Sequence, residues 1–389
     1  MGNYLLAEGM EITSAYECGN GTDIRSLGHN RFALEAEQDK GYGDPYNSLS
    51  YYFNFSVHNR SSKARKIQIH VGNIVHDLPY LKHIWLKKGE DWLKLPQGNI
   101  STDEGARKVI LSFSIEPGEK VFVCNAFWYP YSEMKGWLED VARQNPEGCR
   151  LSCIGETAQK REILCLSIGR LTDGGKRVLI AGTPQASEFG DLACKGIIEF
   201  LLSAEEFAGS IRERYIIDVI PQQNPDGVAL GTCMVNALGQ NPLFEFEELS
   251  AGREVSLEAE AVWSWIKRTE PSLYLEYHSY FQDNRPSFRP YLFSSEHYTD
   301  PQKRVLGERI DQALLRISTG APMRVGVGHE RFRKCLAYQL IKHFDIPSYF
   351  YKLHSRETLG RNIEQAVKVL RAVINIYGGR NRSEGPSTI

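Results

Sequence analysis

Two hydrophobic periods divide the chain. Up to about residue 135, apolar and polar positions alternate. Tyr51, Phe53, Phe55 and Val57 are interleaved with Tyr52, Asn54 and Ser56, and Ile67, Ile69 and Val71 repeat the pattern in the next run. A period of two belongs to a half-buried strand. The polar stretch from His58 to Lys63 reads as a turn, and Glu-Pro-Gly-Glu separates the runs Val109–Ile115 and Val121–Cys124. Short strands at regular spacing, with no long helix, predict a β-sandwich. The aromatics between Phe122 and Tyr131 read as core packing rather than a ligand platform, because strands favour them anyway. Trp137, Leu138 and Val141 then mark the apolar face of a linking helix.

From about residue 139, strand-like runs alternate with helical ones, which predicts an α/β sheet. Strands are expected at 163–168, 178–181, 215–220, 273–277 and 348–353, and helices at 189–202, 257–267, 302–317 and 362–377. Four apolar residues in a row, Val178 to Ala181, suit a strand covered on both faces, and Gly182 and Pro184 end it. Phe189, Ala193, Ile197 and Leu201 follow at helical spacing. Gln185 and Glu188 therefore fall between a strand end and a helix start, where ligands bind in open α/β sheets. The expected organisation is an all-β sandwich domain over 1–138, an α/β domain over 139–378 and a loose polar tail over 379–389.

Composition narrows the classes. With 389 residues, 42% of them hydrophobic and 24% charged, the chain suits a globular protein of two domains. A formal net charge of −2 gives no reason to expect nucleic acid as a partner. No apolar run reaches the roughly 20 residues that span a membrane. The first residues have neither a basic start nor an apolar core, so no signal peptide is expected, and Leu6 breaks the myristoylation pattern that Gly2 begins. The eight cysteines are scattered and read as reduced, in keeping with a cytoplasmic protein. Cys149 and Cys153 are spaced like half of a zinc finger, but no second pair follows.

The order of strand, loop with a terminal Glu188, and helix resembles the zinc carboxypeptidase family, whose motif is His-x-x-Glu. The run Tyr274 to His278 matches the strand carrying that family's third ligand, and Asn224-Pro-Asp-Gly227 matches its Asn-Pro-Asp-Gly turn. The layout with an amino-terminal β-domain is most similar to the cytosolic carboxypeptidase branch. The resemblance implies a carboxypeptidase-like mixed sheet with helices on both faces, and zinc held by Gln185, Glu188 and His278. Three protein ligands and one open position are what a catalytic zinc needs. Glu276 and Tyr274 share the strand face of His278 by the period-two rule, so either could support it from behind.

Three positions depart from the family pattern. Gln185 stands where the first His belongs. In Ile346-Pro-Ser-Tyr-Phe-Tyr-Lys352-Leu, Lys352 stands where the family's general base is Glu, leaving Lys352, Glu357 or His354 to carry protons. The Asn-Arg pair that clamps a peptide carboxylate is missing. Asn236, Asn241 and Tyr280 remain as substrate contacts, with Arg331 and Arg333 as cations from another loop, and Glu245, Glu247 and Glu248 make the stretch beside them acidic. The first expectation is a divergent zinc-dependent hydrolase of a peptide or aminoacyl-type amide. The alternatives are an inactive binding or scaffold protein on the same fold, and a biosynthetic enzyme using the site for another reaction on an amino-acid derivative.

Overall fold

The computed structural model describes residues 2–76, 78, 81, 83–171, 175–280, 287–293, 295–325 and 330–379. Residues 380–389, most of the expected tail, lie outside the described residues.

The amino-terminal strands are β1 (Tyr4–Ala7), β2 (Met10–Thr13), β3 (Thr22–Gly28), β4 (Arg31–Glu35), β5 (Asn54–Asn59), β6 (Arg65–Gly72), β7 (Trp85–Lys88), β8 (Asp91–Lys94), β9 (Ile100–Asp103), β10 (Lys108–Ile115) and β11 (Lys120–Cys124). They form a six-stranded sheet, β1-β2-β5-β11-β7-β8, and a five-stranded one, β3-β4-β6-β10-β9. Alternation sets the packing: Ile67, Ile69 and Val71 of β6 bury the same face as Val109, Leu111 and Phe113 of β10. They meet Phe55, Val57, Val121 and Val123 of the other sheet in one core. The β5 ladder starts later than its apolar alternation. Ahead of it, the Asn125 side chain accepts the Phe53 N–H at 3.0 Å and donates to the Tyr51 carbonyl at 2.8 Å, so a side chain stands in for a strand partner.

Helix α1 (Tyr131–Gln144) leads to the second part, with strands β12 (Cys149–Glu156), β13 (Glu162–Gly169), β14 (Arg177–Gly182), β15 (Ile216–Ile220), β16 (Tyr274–Tyr280), β17 (Arg289–Leu292), β18 (Met323–Arg324) and β19 (Ser348–His354). Their order in one sheet is β12-β13-β15-β14-β16-β19-β17-β18. The centre, β15-β14-β16-β19, is parallel. The helices are α2 (Gly190–Leu202), α3 (Glu206–Arg214), α4 (Pro225–Leu230), α5 (Phe246–Ser250), α6 (Leu257–Thr269), α7 (Pro301–Ile317), α8 (Leu336–Phe344) and α9 (Leu359–Tyr377).

The sheet is covered on both faces, and the strands sort their side chains by parity. Val178 and Ile180 of β14 pack with Ile197 of α2, Leu314 of α7 and Val369 of α9. Leu179 and Ala181 face the other way, with Phe246 of α5, Val262 of α6 and Leu340 of α8. The fold is therefore α/β, with a mixed sheet between helix layers after an all-β sandwich. No helix among the described residues is long and apolar enough to cross a membrane.

The two parts are joined beside the carboxyl ends of the central strands. Trp85 Nε1 donates to the Ser355 carbonyl at 2.9 Å, and Tyr51 Oη lies 2.7 Å from Ser187 Oγ. The Asp39 carboxylate accepts the backbone N–H groups of Cys233 and Met234 at 2.8 and 2.7 Å.

Candidate active site

The loop between β14 and α2 is pressed hard against the sheet. A Cβ on Gly182 would sit 2.1 Å from the Pro221 carbonyl, and one on Gly190 would sit 2.1 Å from the Tyr277 carbonyl, so only glycine allows either approach. Helix α2 thus starts directly over β16, one residue from His278. Within the loop, the Gln185 N–H donates to Thr183 Oγ1 at 3.1 Å and the Glu188 N–H to the Gln185 carbonyl at 3.1 Å. That turn aims both side chains back at the strand ends. The Asn-Pro-Asp-Gly turn buttresses it: Asn224 caps α4 by accepting the Gly227 N–H at 2.9 Å, and its amide donates to the Pro184 carbonyl at 3.1 Å. Asp226, fully buried, accepts from Thr157 and Arg161, each at 2.7 Å.

His278 is fully buried in β16. Its Nδ1 lies 3.3 Å from Gln185 Oε1 and 3.3 Å from Glu188 Oε2. Behind it, Nε2 lies 2.6 Å from Glu276 Oε1, and Tyr274 Oη donates to the other Glu276 oxygen. A carboxylate can only accept, so Nε2 carries the hydrogen that faces Glu276, and in the tautomer with that hydrogen alone Nδ1 presents a lone pair to the two oxygens. In that tautomer three electron-pair donors converge with no hydrogen between them, an arrangement that a cation relieves.

Zinc binds imidazole nitrogen and carboxylate oxygen at about 2.0–2.2 Å, so two tetrahedral ligands stand about 3.4 Å apart. The two spacings of 3.3 Å fit that geometry, and the Glu276 carboxylate behind His278 is a common support for a metal-bound imidazole. The donor set is one imidazole, one carboxylate and one neutral amide. Among the described residues, no group of three or more His, Cys, Asp and Glu side chains is placed to hold a metal, so the amide is indispensable to the fit.

Lys352 is the cross-strand neighbour of His278. Its Nζ lies 3.1 Å from each Glu188 oxygen and 3.2 Å from the Ser279 carbonyl, and it is almost entirely buried. Burial alone would raise the Glu188 carboxyl. Lys352 and the Ser279 N–H, which donates to it at 2.7 Å, oppose this and hold it below the ordinary carboxylate value. Burial pulls the Lys352 ammonium below the ordinary lysine value, with Glu188 opposing.

These groups open onto a cavity of about 710 Å³. Gln185, Glu188, Lys352 and Tyr280 line it, as do Tyr51, His76 and Asn125 of the sandwich. One further wall is apolar, made by Met234, Phe244, Tyr291, Met323 and Phe332. Arg289 of β17 is also in the lining, its guanidinium 4.0 Å from the centre of the Tyr280 ring.

The remaining expected residues stand elsewhere. Glu357 accepts the Thr358 N–H at 3.1 Å and lies 3.5 Å from Arg361 at the start of α9. His354 Nδ1 accepts the Arg356 N–H at 3.1 Å. Asn236 donates to Glu258 at 2.8 Å and accepts the Leu238 and Gln240 N–H groups, so it shapes its own loop. Asn241 is buried and does not line the cavity. Arg331 pairs with Asp44 at 2.9 Å and stacks near Phe244 at the rim, whereas Arg333 pairs with Glu330 at 2.8 Å. The acidic stretch also points away from the cavity: Glu245 accepts the Ser256 N–H, and Glu248 pairs with Arg253. Cys149 is buried and Cys153 exposed on β12, and all eight cysteines are free thiols.

Residues 134–243 match the family described as zinc carboxypeptidase. Among curated proteins, cytosolic carboxypeptidase 6 of Caenorhabditis elegans is 27% identical over 160 residues, covering 39% of this chain and 35% of that protein. Cytosolic carboxypeptidase 2 of Danio rerio is 23% identical over 260 residues, 60% of this chain and 35% of that protein. The matched region thus spans about a third of those relatives, 35% in both cases. Of solved structures, the metallo-carboxypeptidase from Burkholderia cenocepacia superimposes with a TM-score of 0.79 at 16% identity, over 95% of this chain and 99% of that one. The metallo-carboxypeptidase from Pseudomonas aeruginosa, in complex with (2-guanidinoethylmercapto)succinic acid, gives 0.77 at 17% identity, over 95% and 100%. The fold is that of the metallo-carboxypeptidases. Residues 134–243 are thus similar to the zinc carboxypeptidases, and the curated proteins that the chain matches are cytosolic carboxypeptidases.

Proposed function

We propose that the chain is a divergent zinc-dependent amide hydrolase acting on a peptide or an aminoacyl-type small molecule. The observation that carries this reading is the convergence of Gln185 Oε1 and Glu188 Oε2 on His278 Nδ1, with Glu276 fixing the ring from behind. When bound, zinc supplies Lewis-acid activation of a water molecule. Among the described residues Glu188 is the sole carboxylate in the cavity lining, and it belongs to the donor set, so we assign the proton to Lys352. Burial disfavours the Lys352 ammonium and Glu188 favours it; with zinc taking over the charge beside Glu188, Lys352 would be free to take the proton at Nζ and return it to the leaving nitrogen. Arg289 and Tyr280 stand on the same wall and orient the substrate's acidic or carbonyl end. The relatives' names and the unpaired thiols support a cytoplasmic setting.

A second reading, a binding protein that has kept the fold without the chemistry, is favoured by the Lys352–Glu188 pair, which neutralises the carboxylate without any metal. Amine release from a panel of N-acyl amino acids and short peptides separates the two. The hydrolase reading expects turnover by the zinc-loaded protein and a loss of about 10²–10⁴-fold in kcat for Lys352→Ala. Zinc uptake without turnover of any substrate in the panel favours the binding protein.

A further inference from the structure

We infer that Met234 is a positioning residue for the metal site, because its thioether decides which end of the Gln185 amide faces His278 and Glu188. The inference rests on the reading of Gln185 as a ligand. An imidazole in that position would offer a nitrogen lone pair directly, but an amide has two unlike ends that a half-turn exchanges. With the oxygen inward, Gln185 completes the donor set. With the NH₂ inward, its hydrogens would reach the Nδ1 lone pair and the Glu188 oxygen and occupy the cation's place.

The outer end of the amide settles the choice. Gln185 Nε2 lies against Met234 Sδ, and a thioether is an acceptor only. Turning the oxygen outward would set lone pairs against lone pairs. Turning the nitrogen outward lets an N–H meet the sulfur. With a cation between the three groups, oxygen-inward is thus the orientation that satisfies both ends at once.

Met234 can hold the amide because it is itself held. Asp39 of the sandwich accepts the N–H groups of Cys233 and Met234 at 2.8 and 2.7 Å. From the other side, the Ser187 hydroxyl and N–H both donate to the Cys233 carbonyl, at 2.9 and 3.2 Å. The tie at Ser187 comes from the loop that carries Gln185. The amide and the sulfur are therefore fixed to one another through two residues of backbone, and the sandwich anchors the assembly.

The test is zinc titration by calorimetry of the full chain in four forms: wild type, Met234→Leu, Gln185→His, and the double variant. Leucine keeps the volume of methionine and removes the acceptor. Met234→Leu is expected to weaken zinc binding by about 10–100-fold, as loss of a ligand's supporting partner does, with the melting temperature of the metal-free protein little changed. In Gln185→His, which has no amide to turn, adding Met234→Leu should leave the affinity where it was. Wild-type affinity in Met234→Leu, or an equal loss in both backgrounds, would overturn the positioning role. Failure of wild type and Gln185→His alike to take up zinc would overturn the metal reading itself, and the positioning role with it. The wild-type isotherm therefore tells the two failures apart.

Discussion

The ammonium of Lys352 sits symmetrically on the carboxylate of Glu188, 3.1 Å from each oxygen, with the backbone carbonyl of Ser279 as its third partner. This pair bridges two elements that lie far apart in the chain, the loop after β14 and the end of β19. A positive charge therefore rests on one of the three groups that would hold a metal.

Removing that charge should expose the cost of the buried carboxylate. Lys352→Met leaves Glu188 without its counter-ion, and breaking a buried pair from one side costs about 3–5 kcal/mol. Urea denaturation of the metal-free variant should show this loss. Excess zinc should recover most of it by supplying a new counter-charge, and the recovery should exceed the stabilisation that zinc gives wild type.

Gly190→Ala tests the close approach of α2 to β16. The new Cβ would meet the Tyr277 carbonyl at 2.1 Å, and backbone on both sides leaves no side chain to yield. A loss of about 3 kcal/mol or more is expected in chemical denaturation, at the upper end of overpacking effects. Gly360→Ala, where a Cβ would meet nothing within 4 Å, is the matched control and should be nearly neutral.

Asp39 should leave a signature in the pH dependence of stability. Burial pushes its carboxyl up to about 6, against an ordinary value of 3.8, although the N–H groups of Cys233 and Met234 pull the other way. Between those two values the folded state holds the proton more tightly than the unfolded chain does. Stability from this group is therefore full below pH 3.8 and lost as pH rises toward about 6. Relative to Asp39→Asn, wild type should lose up to roughly 3 kcal/mol across that window and change little above it. Urea denaturation of both proteins at a series of pH values measures the difference. A difference independent of pH would remove Asp39 as a titrating tie between the sandwich and the Met234 loop.

Much of the fold is legible in the chain. The unbroken apolar run Val178–Ala181 is a central parallel strand because both of its faces are covered, and the helical repeat from Phe189 places α2 to within a residue. Strand β12 leaves little trace, because it is an edge strand whose residues are mostly half-exposed, so its alternation is weak. Strand β17 is four residues long and contains Pro290, which masks it. At the site, period-two parity is enough to put Glu276 behind His278, because both lie on one strand. The Lys352–Glu188 pair and the contact of Met234 with Gln185 are illegible, since they depend on which distant strands become neighbours. Arg289 escapes notice for the same reason: its place in the cavity comes from the antiparallel pairing of β17 with β19, where it lies opposite Lys352. Glu357 illustrates the converse, a carboxylate close in sequence to the expected base that is used instead at the start of a helix.

Metal content of the purified protein, measured by elemental mass spectrometry on wild type and on His278→Ala after zinc loading and dialysis, bears most directly on the proposed function. About one zinc per chain in wild type, lost in His278→Ala, is the expected result. Wild type that carries no zinc after incubation with excess metal would contradict it, and would leave the Lys352–Glu188 pair as the resting state of a cavity that binds without hydrolysing.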